Sequence, residues 1–135
     1  TVTRKRVAVF CRLGDHYMNA PHSKALLTKQ CVPCEGGIPR YTMPQVVEQL
    51  KEFPDWQVVE DGSRIYRHWV FHDFCSAFSF VSTVAELAEQ EQHHPDLHLT
   101  GYRHVRIELY THAVNGLSEN DFILAAKIDA TVLKG

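Results

Sequence analysis

The chain has 135 residues, 44% of them hydrophobic and 22% charged. That balance suits one globular domain and excludes a disordered, collagen-like or rod-like chain. The net charge of −2 is unevenly spread, with +5 over residues 1–42 and −7 over 43–135. An acidic body repels phosphate backbones, and no apolar run nears the ~20 residues that cross a bilayer. Neither direct nucleic-acid binding nor a membrane partner is expected.

Residues 1–40 read as mostly irregular, punctuated by Gly14, Pro21, Pro33, Gly36, Gly37 and Pro39. A short extra strand fits 7–13. Residues 1–12 hold four basic residues and no acid, which fits either part of an organellar targeting peptide or a plain basic tail. The four cysteines, Cys11, Cys31, Cys34 and Cys75, do not form a secreted disulfide framework. A reducing, cytoplasmic setting follows, with mitochondrial or plastid delivery as the alternative. Cys31 and Cys34 make a lone CxxC, weak as a zinc or redox signal and readable as a turn.

A helix is expected over 43–52, with Thr42 and Gln45 as a capping box, Pro44 in its first turn and Val46, Val47 and Leu50 on its apolar stripe. Strands over 56–60 and 64–71 flank the turn signal Asp61-Gly62-Ser63. Asp73 caps a long helix whose buried face carries Phe74, Ala77, Phe78, Val81, Val84, Ala85 and Ala88. Glu86, Glu89 and Glu91 crowd the C-terminal part of that helix, against its dipole, which marks a place to look for a site. A short extended segment over 97–100 leads into a strand over 102–110, where Val105, Ile107 and Leu109 alternate with His104, Arg106 and Glu108. Ser118 and Asp121 open a last helix to about residue 133. The simplest fold that buries these faces is α+β: a single four-stranded antiparallel sheet covered by helices in the order α-β-β-α-β-β-α.

Nine histidines are present. His93 and His94 stand at the end of the acidic helix, and His112 stands just after the long strand. Glu89 precedes His93 by four residues and shares its helix face if the helix persists that far. Imidazoles beside a carboxylate suit paired proton transfers near neutral pH, as in an elimination or isomerisation. A plainer reading makes His93 or His94 a helix C-cap, His112 a turn residue, Asp121 a cap and Glu89 a solvated acid. A zinc site is the competing chemistry, though no HExxH or second ligand pair accompanies these residues. Trp56 reads as a core aromatic or as the wall of a pocket for a flat ring. The remaining histidines, among them His68, His98 and His104, read as surface or strand residues.

The run Glu89-Gln-Glu-Gln-His93-His94-Pro95, then Tyr102, Thr111-His112 and Gly116-Leu117-Ser118-Glu119-Asn120-Asp121 resembles the signature of the pterin-4a-carbinolamine dehydratase family. Cys31-Val-Pro-Cys34-Glu-Gly-Gly is similar to a segment before the first helix in many relatives. The resemblance runs from about residue 27 to 134, which makes 27–135 the family domain and 1–26 an N-terminal extension. It implies three helices on one face of the sheet, and dehydration of 4a-hydroxytetrahydropterin to quinonoid dihydropterin and water in pterin recycling. It implies His93, His94 and His112 as catalytic residues, with Glu89 and Asp121 in support and Trp56 near the pterin. Gln92, acidic in some relatives, is given no role. No metal or other cofactor is implied, because the pterin supplies the electrons. A homodimer or homotetramer is implied as well. Two alternatives stand beside the enzyme: a coactivator-type, dimerising protein-binding module, as in animal relatives, and a metal-dependent hydrolase.

Overall fold

The computed structural model describes residues 24–33 and 37–134. The basic segment 1–12, the strand expected over 7–13 and Cys34 lie outside the described residues. A short helix, α1 (Lys24–Leu27), precedes α2 (Met43–Leu50), β1 (Gln57–Val58), β2 (Ile65–Val70), α3 (Phe74–Glu91), β3 (Asp96–Thr100), β4 (His104–Leu109) and α4 (Glu119–Lys134). A single 3-10 turn, His112–Val114, joins β4 to α4. The four strands are antiparallel in the order β1-β2-β4-β3.

The alternation expected of β4 holds: Val105, Ile107 and Leu109 are buried, and their neighbours are half-exposed. Across the β2–β4 ladder these three face Trp69, Arg67 and Ile65. The inward face of the sheet packs against Val46 of α2, Ala77, Phe80 and Val84 of α3, and Phe122, Ala125 and Ile128 of α4. The outward face is mostly polar, with Val70 exposed on it. Strand periodicity there keeps Tyr66, His68, Arg106 and Glu108 away from the helices.

The helix starts follow their caps. Thr42 and Gln45 form the expected capping box, and the Asp73 carboxylate accepts from the Ser76 N–H at 2.7 Å. The first strand is shorter than expected, two residues in place of five, and Trp56 falls just ahead of it. The boundary expected between 26 and 27 falls inside α1. Leu26 is buried in the core and α1 packs on α4, so the structural unit takes in residues ahead of 27. Among the described residues, no helix is long and apolar enough to cross a membrane.

Candidate active site

The end of α3 decides which histidine points where. Gln92 adopts a left-handed backbone, φ 54° and ψ 36°, and the helix stops there. The His93 N–H reaches back to the Ala88 carbonyl at 3.2 Å and the Gln92 N–H to that of Glu89 at 3.3 Å, the paired bonds of a Schellman motif. The Gln92 side-chain amide adds a bond to the Glu89 carbonyl at 2.9 Å. This reversal breaks the four-residue register expected between Glu89 and His93. It is His94 Nε2, not His93, that lies beside Glu89 Oε1, at 3.2 Å. Both of those side chains are exposed.

His93 turns inward and is 6% exposed. Its Nε2 lies 2.7 Å from Oδ1 of Asp121, which is fully buried. The other carboxylate oxygen, Oδ2, accepts from the Thr111 hydroxyl at 2.7 Å and the Ser118 N–H at 3.0 Å. A carboxylate can only accept, so Nε2 of His93 carries the hydrogen and Nδ1 is left as the nitrogen able to exchange a proton. The capping box expected at Ser118 and Asp121 is half used. Asp121 caps the Ser118 N–H, while the Ser118 hydroxyl turns to Thr111 Oγ1 at 2.7 Å. Asp121 is therefore a helix cap and the anchor of His93 at once.

Thr111 couples this anchor to the third histidine. Its backbone is fixed by bonds in both directions with Gly116, and His112 follows at once on the 3-10 turn. The His112 ring is exposed and sits edge-on to Tyr110, centroids 6.0 Å apart. One buried carboxylate thus ties together the two chain segments that bear His93-His94 and His112.

Trp56 does not join them. Its ring is 3% exposed, and its indole N–H donates to the Asp129 carboxylate at 3.0 Å. Asp129 lies eight residues along α4 from Asp121, about 12 Å at helical rise. The ring is packed in the core at that end of the helical layer, as the core reading of Trp56 expects.

The acidic crowding that marked this helix end has two separate causes. Glu89 serves His94, whereas Glu91 is a clamp. Glu91 Oε1 accepts from the Cys31 N–H at 3.0 Å, and Oε2 pairs with Lys127 Nζ at 2.8 Å. Burial pushes the Glu91 carboxyl upward, but the Lys127 and Cys31 hydrogen bonds outweigh it and hold the group below its ordinary value. Asn120 completes the clamp, its side chain donating to the Val32 carbonyl at 2.8 Å and accepting from the Val32 N–H at 3.0 Å. The segment 29–33 is thereby pinned over the ends of α3 and α4. Burial, then the charge of Glu91, pushes the Cys31 thiol up to about 12, so it stays protonated at neutral pH and gives no nucleophile. Among the described residues, no group of three or more His, Cys, Asp or Glu is placed to hold a metal ion.

Residues 39–131 match the family model described as pterin 4 alpha carbinolamine dehydratase. The chain belongs to this family. A protein of Halorhodospira halophila, provisionally named a pterin-4-alpha-carbinolamine dehydratase, is 46% identical over 106 residues, which cover 78% of this chain and 96% of that protein. Pterin-4-alpha-carbinolamine dehydratase 2, mitochondrial, of Arabidopsis thaliana is 42% identical over 123 residues, covering 89% of this chain and 60% of the relative. The crystal structure of a transcriptional coactivator/pterin dehydratase from Brucella melitensis superposes with a TM-score of 0.64 at 36% identity, covering 68% of this chain and 97% of that one. The sheet-and-helix fold is thus shared with a solved pterin dehydratase of that family.

Because Gln92 sets the reversal, its substitution is informative. Gln92→Val puts a β-branched residue into a left-handed conformation, at a cost of about 1–2 kcal/mol, whereas Gln92→Gly relieves the backbone while losing one exposed amide bond. Thermal unfolding should rank Gly near the parent and Val several degrees below it. Equal melting temperatures for parent and Val variant would mean the reversal does not constrain the fold.

Proposed function

We propose that the chain dehydrates 4a-hydroxytetrahydropterins to quinonoid dihydropterin and water by histidine acid–base chemistry. The observation that carries this reading is the Asp121 carboxylate, which bonds His93 and, through Thr111, fixes the turn that presents His112. The substrate bears a hydroxyl on C4a and a proton on N5. His94, exposed and held at Nε2 by Glu89, protonates the departing hydroxyl through its other nitrogen. The N5 lone pair forms the C4a=N5 bond as water leaves, and His112 takes the N5 proton. His93, locked to Asp121, orients the pair. The electrons come from the pterin ring, so the step needs neither metal nor redox cofactor.

The test is direct. The purified chain should accelerate loss of water from a freshly generated 4a-hydroxytetrahydropterin, followed by ultraviolet absorbance. His112→Ala, on an exposed turn, should lower turnover by about 10²-fold with an unchanged melting temperature. Unchanged turnover in that variant would remove His112 from the mechanism. A protein-binding role is the second reading, favoured by Phe74 and Phe78, both exposed on α3 with ring centroids 6.4 Å apart. Charged substitutions there should abolish partner capture and leave turnover intact.

A further inference from the structure

The outward face of the sheet carries three histidines that the dehydration chemistry does not use. His68 lies on β2, His98 on β3 and His104 on β4. In the ladders, His68, Arg106 and His98 form one row, and Val70, His104 and Thr100 form the next. His104 is therefore diagonal to His68 on the adjacent strand, within side-chain reach. The two rings meet, with His104 Nδ1 3.2 Å from His68 Nε2, centroids 5.3 Å apart and planes within 10°. That centroid separation is near the greatest a 3.2 Å contact permits, so the rings stand head to head, nearly in one plane, with a hydrogen between the nitrogens.

The geometry points to a two-histidine chelate for a divalent transition-metal ion of the imidazole-preferring class, such as Ni²⁺, Zn²⁺ or Cu²⁺. Metal–nitrogen bonds of ~2.0–2.1 Å drawn to nitrogens this far apart subtend about 100°, between the square and tetrahedral angles. The backbone need not move. The rings need only tilt so that their lone pairs converge, with the metal taking the place of the shared hydrogen. His68 is exposed and His104 half-buried. The His104 ring lies over Gly101, where a side chain would come within 3.2 Å of its Cδ2.

The surrounding charge permits a cation. Arg106, directly opposite His68, has its charge answered by Glu108 at 2.7 Å, and its guanidinium lies 3.8 Å over the Tyr66 ring. His98 stands on the far side of Arg106 and faces Glu108 at 3.7 Å, so it is not a third ligand. The site is a two-ligand one whose other positions face water. It sits at the His104 end of β4, whereas His112 follows the Leu109 end, about 17 Å away along the strand. It is thus separate from the catalytic cluster.

Isothermal titration of the whole chain with nickel at neutral pH tests this, since nickel favours imidazole ligands. The parent should show a site that His68→Gln and His104→Gln each weaken at least tenfold and that His98→Gln leaves intact. Any sites elsewhere in the chain cancel in the comparison. The His68 and His104 variants should keep full dehydratase turnover, so failure here and failure of the enzymatic reading are distinguishable. The substitutions lie on an exposed face, and circular dichroism checks that each variant is folded. Nickel bound equally well by parent and both variants, or no uptake by the parent at millimolar nickel, overturns the site.

Discussion

Asp121→Asn should leave a folded protein that turns over pterin carbinolamine at least 10²-fold more slowly, while Asp121→Ala should lose stability as well. The difference follows from hydrogen-bond accounting. In the Asn variant the amide oxygen can still accept from Thr111 and Ser118, as Oδ2 does now. The amide nitrogen then faces His93 and offers a hydrogen where the carboxylate accepted one. His93 must move its hydrogen to Nδ1, which reverses the donor and acceptor it offers to the pair it orients, the logic by which an orienting Asp→Asn change cripples a catalytic triad. The alanine variant instead leaves three buried donors without an acceptor. At ~1–3 kcal/mol for each unsatisfied group, partly relaxed, a loss of about 3–5 kcal/mol is expected. Denaturant unfolding separates the two variants, and nitrogen-15 shifts of the His93 ring report the tautomer. Should the Asn variant keep both its tautomer and its turnover, Asp121 is a helix cap and nothing more.

Much of this arrangement is legible in the chain. Capping residues at Thr42 and Asp73, the turn at Gly62 and the alternation through Val105, Ile107 and Leu109 are local signals, and the elements form where those signals stand. The site was harder to read. Helical spacing pairs Glu89 with His93, yet the pairing realised is Glu89 with His94, because one residue in a left-handed conformation at Gln92 rotates everything after it. Glutamine carries no strong signal for that conformation, which glycine or asparagine would have announced. The clamp of Glu91, Asn120 and Lys127 on residues 31–32 is likewise invisible locally, since its partners lie 36 to 88 residues apart. One buried group was detectable. Period-two alternation puts Arg67 on the same face as Ile65 and Trp69, so a charge had to enter the core and find a counter-charge there.

That counter-charge is Asp129, and removing it should be strongly destabilising. Arg67 Nη1 lies 2.7 Å from Asp129 Oδ1, and both side chains are almost wholly buried. The same carboxylate receives the Trp56 indole N–H, and the Arg67 guanidinium lies 4.8 Å from the centre of the Trp69 ring. The pair couples β2 to α4 across the core. Asp129→Ala keeps the guanidinium buried while deleting its buried carboxylate partner, for which about 3–5 kcal/mol is the usual penalty. Replacing both members with apolar residues of similar volume, Arg67→Met with Asp129→Leu, removes the uncompensated charge and should recover most of that loss, apart from the orphaned Trp56 N–H at about 1–3 kcal/mol. Urea midpoints at constant slope measure both variants. The near neighbour Asp55, 3.5 Å from Arg67 Nη2 but more than half exposed, is the alternative acceptor. If Asp129→Ala costs no more than ~1 kcal/mol, the guanidinium has swung toward Asp55 and water, and the β2–α4 pair does not hold the sheet to its helices. A double variant no more stable than Asp129→Ala would show instead that packing around Trp56, not charge, sets the cost.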